Sequence, residues 1–112
     1  MAIQSWSDDV LLVTLPREPR LCRELAGLND VLSTHGARDV VVDFSHVDIL
    51  SSAGISNLLI LGKLIADAGR RLIFTNVAVT TRCIFRIAGL MDAFELVPDR
   101  AAALEVLGAV RT

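Results

Sequence analysis

Residues 39–69 read DVVVDFSHVDILSSAGISNLLILGKLIADAG, and this stretch decides the fold. It begins with DVVVDF, an uninterrupted apolar run with acidic ends, which predicts a strand buried on both faces of a sheet. After the small, polar junction SSAG, apolar side chains recur every three or four residues as far as Gly69. That spacing predicts a helix of about four turns over residues 52–68, ended by the glycine.

The same alternation of strands and helices continues on both sides of this stretch. The other predicted elements are strands at 3–6 and 10–15 joined by a turn, a helix from Arg20 towards Gly36, a strand at 71–77, a helix capped by Thr80 or Thr81 and running through Ala88, a strand at 93–97 and a helix at 100–107. This order implies parallel pairing through right-handed crossovers. We therefore expect a single α/β domain over residues 1–112, with a mixed, mostly parallel sheet of four to five strands and about four helices.

Composition excludes several classes of function. The chain has 112 residues, 53% of them hydrophobic, and a formal net charge of -2 with both signs interspersed. No basic stripe is available for a phosphate backbone, so we expect no direct contact with nucleic acid. The apolar segment 49–62 is too short and too polar to cross a bilayer, and no basic region precedes an apolar one at the N-terminus. These features predict a cytoplasmic protein without membrane insertion.

The cysteines and histidines offer no metal site by sequence. Cys22 and Cys83 are isolated, with no second cysteine or histidine at ligand spacing, which predicts buried or partly buried free thiols. His35 and His46 lie far from either cysteine and are expected on the surface near turns. We expect neither a metal nor a cofactor.

Ser51 and Ser52 stand at the start of the predicted helix, and two interpretations of the pair are open. A serine there accepts a hydrogen bond from an unpaired backbone N–H, which makes Ser51 a good N-cap with Ser52 in the first turn. A phosphate also suits this position, because its charge of roughly −1.5 to −2 meets the positive end of the helix dipole. Ser51 fits the cap, and the geometry alone leaves Ser52 and, alternatively, Ser51 open as the acceptor of a phosphate.

Three further residues belong to the candidate site. Asp43 ends the first central strand at the carboxyl edge, where α/β folds hold their sites, and it either positions a phosphodonor or bonds a loop backbone. Ser56 and Asn57 are polar residues on an otherwise apolar helix, which predicts an exposed face near Ser52 for partner contact. Catalysis by the chain is not predicted, because the serines have no histidine in their motif and neither a G-x-S-x-G turn nor a glycine-rich phosphate loop occurs.

The chain resembles the STAS domain of bacterial anti-sigma factor antagonists over nearly its full length, most strongly from 40 to 99. In that family a strand ends in V-D-hydrophobic-S-x-V, and after three residues D-S-S/A-G-hydrophobic opens a helix; VVVDFSHVDILSSAGI corresponds to it here. Anchored on Gly54, the serine that the family phosphorylates falls on Ser52, and the second small residue falls on Ala53. The family's later pattern is met by Gly69, Leu72, Asn76, Gly89 and Leu90.

Two acidic positions of the family are changed in this chain. Ser51 stands where the family has the aspartate before the phosphorylated serine. The family's G-x-L-D after the second strand is replaced by LPREPRL, in which Glu18 is the nearest acidic substitute.

The resemblance implies a non-enzymatic regulator of transcription. Unphosphorylated, it would bind an anti-sigma factor serine kinase and thereby free a sigma factor; phosphorylated on Ser52, it would release the kinase. The implied contact surface consists of Ser51, Ser52, Gly54, Ser56 and Asn57. The alternative is a STAS interaction module of a transport or signalling complex that is never phosphorylated, which the serine in place of the aspartate favours. A homodimer is a further possibility, with Trp6 and the N-terminal edge strand either exposed for pairing or covered by the first helix.

Overall fold

The computed structural model describes residues 1–108, and it contains five strands and four helices. The strands are β1 (Ala2–Ser5), β2 (Val10–Thr14), β3 (Asp39–Asp43), β4 (Leu72–Thr75) and β5 (Glu95–Val97), and the helices are α1 (Arg20–His35), α2 (Ser52–Asp67), α3 (Val79–Ile87) and α4 (Arg100–Val106). The predicted fold class is confirmed. Residues 109–112, the end of the predicted domain, lie outside the described part.

The five strands form one mixed sheet in the order β1-β2-β3-β4-β5. β1 pairs with β2 as an antiparallel hairpin, and β2, β3, β4 and β5 are parallel to one another. Because β2, β3 and β4 run in one direction, the loops that leave them all start at the same edge of the sheet. The candidate site lies at this carboxyl edge, between β3 and α2.

Helices cover both faces of the sheet. α1, α2 and α3 pack on one face and α4 packs on the other. The side chains of β2 and β3 alternate between the faces: Leu11, Val13, Val40 and Val42 meet the three-helix layer, and Val10, Leu12 and Val41 meet α4. The apolar runs in the sequence therefore correspond to strands buried on both faces, as predicted. None of the described helices is long and apolar enough to cross a membrane.

Two details differ from the sequence-based expectations. α3 starts at Val79 after Ala78, which has an extended backbone and makes no side-chain cap, so neither Thr80 nor Thr81 is the N-cap. Thr81 is buried on the core side of the helix, and its side chain is therefore turned away from the helix end. Cys22 is partly buried as expected, but Cys83 is exposed; both thiols are free.

The outer hairpin strand is open to solvent. All four residues of β1 are exposed, and the Trp6 side chain is 43% exposed. This edge was expected either to be exposed for pairing or to be covered by the first helix. The structure shows that α1 does not cover it. His35 and His46 are also exposed, as predicted.

Candidate functional site

The start of α2 is fixed by the Ser51 side chain. Ser51 has an extended backbone, with φ −74° and ψ 163°, and its hydroxyl oxygen accepts a hydrogen bond from the Gly54 backbone N–H at 3.0 Å. This bond satisfies one of the N–H groups that a helix leaves unpaired at its first turn. The prediction that Ser51 caps the helix is confirmed.

A carboxylate from another part of the chain completes the environment of Ser51. Glu18 lies in the loop between β2 and α1, and its Oε2 accepts hydrogen bonds from the Ser51 backbone N–H at 2.8 Å and from the Ser51 hydroxyl. Its Oε1 accepts from the backbone N–H of Cys22, in the first turn of α1, at 3.2 Å. Glu18 thus joins the starts of α1 and α2. The Ser51 hydroxyl donates to one group and accepts from another, so both of its hydrogen-bonding roles are used.

Glu18 is held in its ionised form. Burial alone raises the pKa of its carboxyl group, but the hydrogen bonds from the Ser51 hydroxyl, the Ser51 amide and the Cys22 amide outweigh burial, and the net pKa lies below the ordinary 4.5. A negative charge therefore lies beside the N-terminus of α2 at neutral pH, where the helix dipole favours it. From sequence, Glu18 stood out only as the nearest acidic residue in the loop after β2.

Gly54 makes room for this carboxylate. A Cβ at position 54 would stand 2.6 Å from Oε2 of Glu18, closer than side chains tolerate, and 3.0 Å from Cδ1 of Leu50, a tight contact. The group that approaches the Gly54 backbone closely is therefore Glu18 of the same chain. Gly54 is buried, so it cannot itself touch a partner. Its contribution to a contact surface is indirect, because the lack of a side chain lets the Glu18 loop lie against the start of α2.

Ser52 has a different environment from its neighbour. It is the first residue of α2 and is exposed, as are Ala53 and Ser56 on the same side of the helix. Within residues 1–108, no protein group forms a hydrogen bond with the Ser52 hydroxyl. Ser52 is therefore the accessible, unengaged hydroxyl of the pair, at the positive end of a sixteen-residue helix.

Asn57 lies at the contact between α1 and α2. Its side chain is half-buried, and its Nδ2 donates to the Ala53 carbonyl at 3.0 Å and points to the Cys22 carbonyl at 3.5 Å. The backbone carbonyl of Asn57 accepts a hydrogen bond from Nδ2 of the buried Asn29 at 3.0 Å. The exposed face predicted for Ser56 and Asn57 is thus found for Ser56, whereas the amide of Asn57 is used within the chain.

Asp43 braces the carboxyl edge of the sheet. Its Oδ1 accepts hydrogen bonds from the Ser45 backbone N–H at 2.9 Å and from Nδ2 of Asn76 at 3.0 Å. Asn76 follows β4 with a positive φ of 55°, a conformation that asparagine tolerates better than most residues. Of the two roles considered for Asp43, bonding a loop is the one observed: it ties the end of β3 to the end of β4.

An apolar side chain that the sequence analysis did not single out stands next to the serines. Ile49, in the loop between β3 and α2, is 75% exposed, and Leu59 and Ile60 are exposed further along α2. Contiguous exposed apolar surface often marks a site where a partner binds, whereas single exposed apolar side chains are ordinary. The only sequence signal was its place between Asp48 and Leu50, which does not tell an exposed isoleucine from a buried one.

Comparison with known proteins gives a consistent assignment. The family model for the STAS domain matches residues 9–103. BtrV of Bordetella bronchiseptica, whose name assigns it to the anti-sigma factor antagonists, is 31% identical over 68 residues. That match covers 61% of this chain and 59% of BtrV, so the chain spans less than two thirds of this relative.

Solved structures share the fold at low identity. The anti-sigma factor antagonist SpoIIAA in its unphosphorylated form is 14% identical, with a TM-score of 0.73 and coverage of 98% of this chain and 96% of that chain. Phosphorylated SpoIIAA, from Bacillus, is 16% identical, with a TM-score of 0.72 and coverage of 94% and 97%. A chain of the stressosome, described as a signal integration and transduction hub, is 15% identical, with a TM-score of 0.76 and coverage of 99% and 100%. At these identities the likeness establishes the fold.

Proposed function

The chain belongs to the STAS domain family, and from this premise we propose that it is an anti-sigma factor antagonist. Unphosphorylated, it binds an anti-sigma factor serine kinase and so frees a sigma factor; phosphorylated on Ser52, it releases the kinase. It acts in the cytoplasm as a binding protein, without catalysis, cofactor or direct contact with nucleic acid. The names of BtrV and SpoIIAA support the class of partner.

The observation that supports this proposal most directly is the difference between the environments of the two serine hydroxyls. The Ser51 hydroxyl is engaged by Glu18 and by the Gly54 amide, whereas the Ser52 hydroxyl is exposed and unengaged. A kinase must bring the acceptor oxygen in line with the γ-phosphate of ATP, which favours a hydroxyl that is free to turn. Ser52 is therefore the phosphoacceptor, and Ser51 is the structural cap.

The local charges explain how phosphorylation changes binding and leaves the fold in place. A phosphate on Ser52 adds roughly −1.5 to −2 charge at the N-terminus of α2, where the helix dipole stabilises an anion by about 0.3–1 kcal/mol. The ionised Glu18 carboxylate lies beside the same helix end and repels that phosphate. Because these two effects oppose each other, the modified chain stays folded. A partner seated over Ser52, however, must bury a doubly charged phosphate, which is costly unless the charge is paired.

The surface around Ser52 suits close docking. Ser52, Ala53 and Ser56 are small and exposed, so the start of α2 has no long side chain that would hold a partner away. Ile49, in the loop that leads into α2, is an exposed apolar group, and burying an isoleucine side chain contributes about 1.5–3 kcal/mol. Two residues lie beneath this surface and fix its position. Asn57 contacts α1 through the Cys22 carbonyl, and Gly54 packs against Glu18.

The binding step can be tested with Ser52 variants as bait. Ser52→Asp places a charge at the switch, and Ser52→Asn has nearly the same shape without the charge. We expect wild type and Ser52→Asn to capture a protein with an ATPase-type kinase domain from the host lysate, and Ser52→Asp to lose it. Equal capture by all three baits, or loss with both variants, would contradict a switch based on charge.

One observation favours a second function, a STAS interaction module that is never phosphorylated. The family's aspartate before the phosphorylated serine is Ser51 here, and the hydrogen bonds that Glu18 makes to Ser51 and Cys22 occupy both of its carboxylate oxygens. The Glu18 carboxylate is thereby not free to assist transfer to Ser52. The stressosome chain shows that the fold occurs in a multiprotein assembly. In this case wild type and Ser52→Asp would capture the same partners, none of them a kinase.

A further inference from the structure

The two edges of the sheet are protected to different degrees. β5, at one edge, has only three residues, begins with Glu95 in an ion pair with Arg71 at 2.6 Å, and is followed directly by Pro98. A short strand, a charged pair and a proline are the devices that keep an edge from pairing with another chain. β1, at the opposite edge, reads AIQS and contains neither charge nor proline, and all of its residues are exposed.

The hydrogen-bonding groups on the open side of β1 can be assigned from the hairpin register. The backbone N–H of Trp6 bonds the Val10 carbonyl, and Gln4 stands opposite Leu12. Inward and outward groups alternate along an antiparallel strand, so Ala2 and Gln4 point their backbone groups at β2. Ile3 and Ser5 therefore present their N–H and C=O groups to the outside of the sheet.

An apolar surface accompanies this open edge on the side of α1. Ile3 is 49% exposed and Val31 of α1 is 53% exposed, and they border a groove of about 370 Å³ that also involves Leu28 and Leu32. Ile3 and Ser5 share this face because cross-strand partners point to the same side, and Ile3 stands opposite Val13 of the three-helix face. Within residues 1–108 no group pairs with the outward N–H and C=O groups of β1. The open edge thus combines these groups with exposed aliphatic side chains, and with the Arg38 guanidinium, which donates to Ser5 Oγ at 3.0 Å.

We propose that β1 is a self-association surface, on which a second copy of this chain adds its own β1 in antiparallel orientation about a two-fold axis at Gln4. This is the one register in which Ile3 of each copy stands opposite Ser5 of the other. It pairs all the outward N–H and C=O groups of these residues, in four hydrogen bonds. A second copy is the occupant because the strand is self-complementary and uncharged. The result is a continuous sheet of ten strands, with the Val31 side chains of the two α1 helices turned towards each other.

The proposed register places Gln4 directly opposite Gln4 of the partner, and this supports a charge-exchange test. Gln4 is exposed and its side chain makes no hydrogen bond within residues 1–108, so Gln4→Lys and Gln4→Glu should both fold. Like charges directly opposite each other destabilise a strand pair, and opposite charges stabilise it. By sedimentation velocity over a concentration series, we expect the mixture of the two variants to associate roughly tenfold more tightly than either variant alone.

A backbone variant provides an independent control. Ile3→Pro removes an outward N–H and with it two of the four intermolecular hydrogen bonds, and edge strands accept proline at such a position. Ile3→Val keeps the amide and should still dimerise. Wild type that stays monomeric over the whole series would overturn the proposal. A dimer unaffected by charge at position 4 and by Ile3→Pro would equally overturn it, because the copies would then be associating through another surface.

Discussion

Ser51 and Ser52 have the same chemistry, and their neighbours make them different. Ser51 accepts from the Gly54 amide and donates to Glu18, so its hydroxyl is part of the folded structure. Ser52 is one residue further on and turns towards solvent. A change at Ser51 should therefore be felt in stability, and a change at Ser52 should be felt only in binding.

Alanine substitution of each serine tests this difference. Ser51→Ala removes an N-cap and should lower the free energy of unfolding by about 1 kcal/mol, within a range of roughly 0.5–2 kcal/mol. Ser52→Ala removes an exposed hydroxyl and should change it by less than about 0.5 kcal/mol. Urea unfolding followed by circular dichroism measures both. Equal losses would show that the two hydroxyls are not divided between cap and surface.

The Glu18 carboxyl group predicts a pH dependence with a definite sign. Its pKa in the folded chain lies below the ordinary 4.5, so ionised Glu18 contributes stability above about pH 4.5. That contribution is lost as the pH falls through the folded pKa, because protonated Glu18 no longer accepts from Ser51 and Cys22 in the same way. Glu18→Gln should therefore lose less free energy of unfolding than wild type between pH 7 and acidic pH. Parallel losses in the two proteins would exclude Glu18 as a source of acid sensitivity.

Among these residues, the sequence predicts the Ser51 cap but does not predict that Glu18 contacts Ser51. A serine before an amphipathic stretch is a local signal, and Ser51 follows it. Glu18 reaches Ser51 from 33 residues away, and that approach depends on how the β2–α1 loop packs over α2. The requirement for glycine at position 54 cannot be predicted from the sequence either, because it arises from the nearby Glu18 carboxylate.

Within α2, the two glycines predict opposite responses to alanine. A Cβ at Gly54 would meet Glu18 Oε2 at 2.6 Å, so Gly54→Ala should cost about 1–3 kcal/mol in the free energy of unfolding. At Gly62 the nearest atoms are at 3.7 and 3.8 Å, an ordinary contact, and Gly62→Ala should stabilise the helix by up to about 1 kcal/mol. Thermal and urea unfolding of the two variants form a matched comparison.

A double variant identifies the atom responsible. In Glu18→Ala the closest obstacle to a Cβ at position 54 is absent, so the further cost of Gly54→Ala should be smaller in that background than in wild type. An undiminished cost would assign the strain to Leu50 and Leu21, which also lie near the added Cβ.

Element boundaries differ in how well the sequence predicts them. α2 runs from Ser52 to Asp67, within one residue of its prediction, because a serine cap and Gly69 mark its two ends. α3 starts before Thr80, because Ala78 takes the cap position without a side-chain hydrogen bond. When the N-cap residue makes no side-chain hydrogen bond, the sequence contains no characteristic residue type that marks where the helix begins.

For the molecule as a whole, the central sheet contains a buried side-chain hydroxyl that has no partner within residues 1–108. Thr75 ends β4 and is fully buried, and its hydroxyl has no hydrogen-bond partner among the described residues. Thr75→Val keeps the shape and removes the buried hydroxyl, which should stabilise the chain by about 1 kcal/mol. Thr14, at the matching end of β2, is only half-buried, so Thr14→Val should change stability by less than about 0.5 kcal/mol. A loss of stability in Thr75→Val would show that the hydroxyl has a bound water or another partner.

The whole fold was predictable in its order and layers because β2 and β3 are apolar on both faces and each is followed by an amphipathic helix. This arrangement packs α2 beside α1 on one face of the sheet. Glu18 holds the N-terminus of α2, and Asp43 braces the neighbouring strand ends. Such a frame can carry a charge at Ser52 without rearranging. The proposed switch therefore depends on what the surface presents to a partner.

The central claim, that Ser52 is the residue a kinase modifies, is tested most directly by intact mass after reaction. Wild type, Ser51→Ala and Ser52→Ala are incubated with ATP, Mg²⁺ and the kinase that wild-type bait captures. We predict the added mass of one phosphate on wild type and on Ser51→Ala, and none on Ser52→Ala. A phosphate on Ser52→Ala, or none on wild type, would contradict the account.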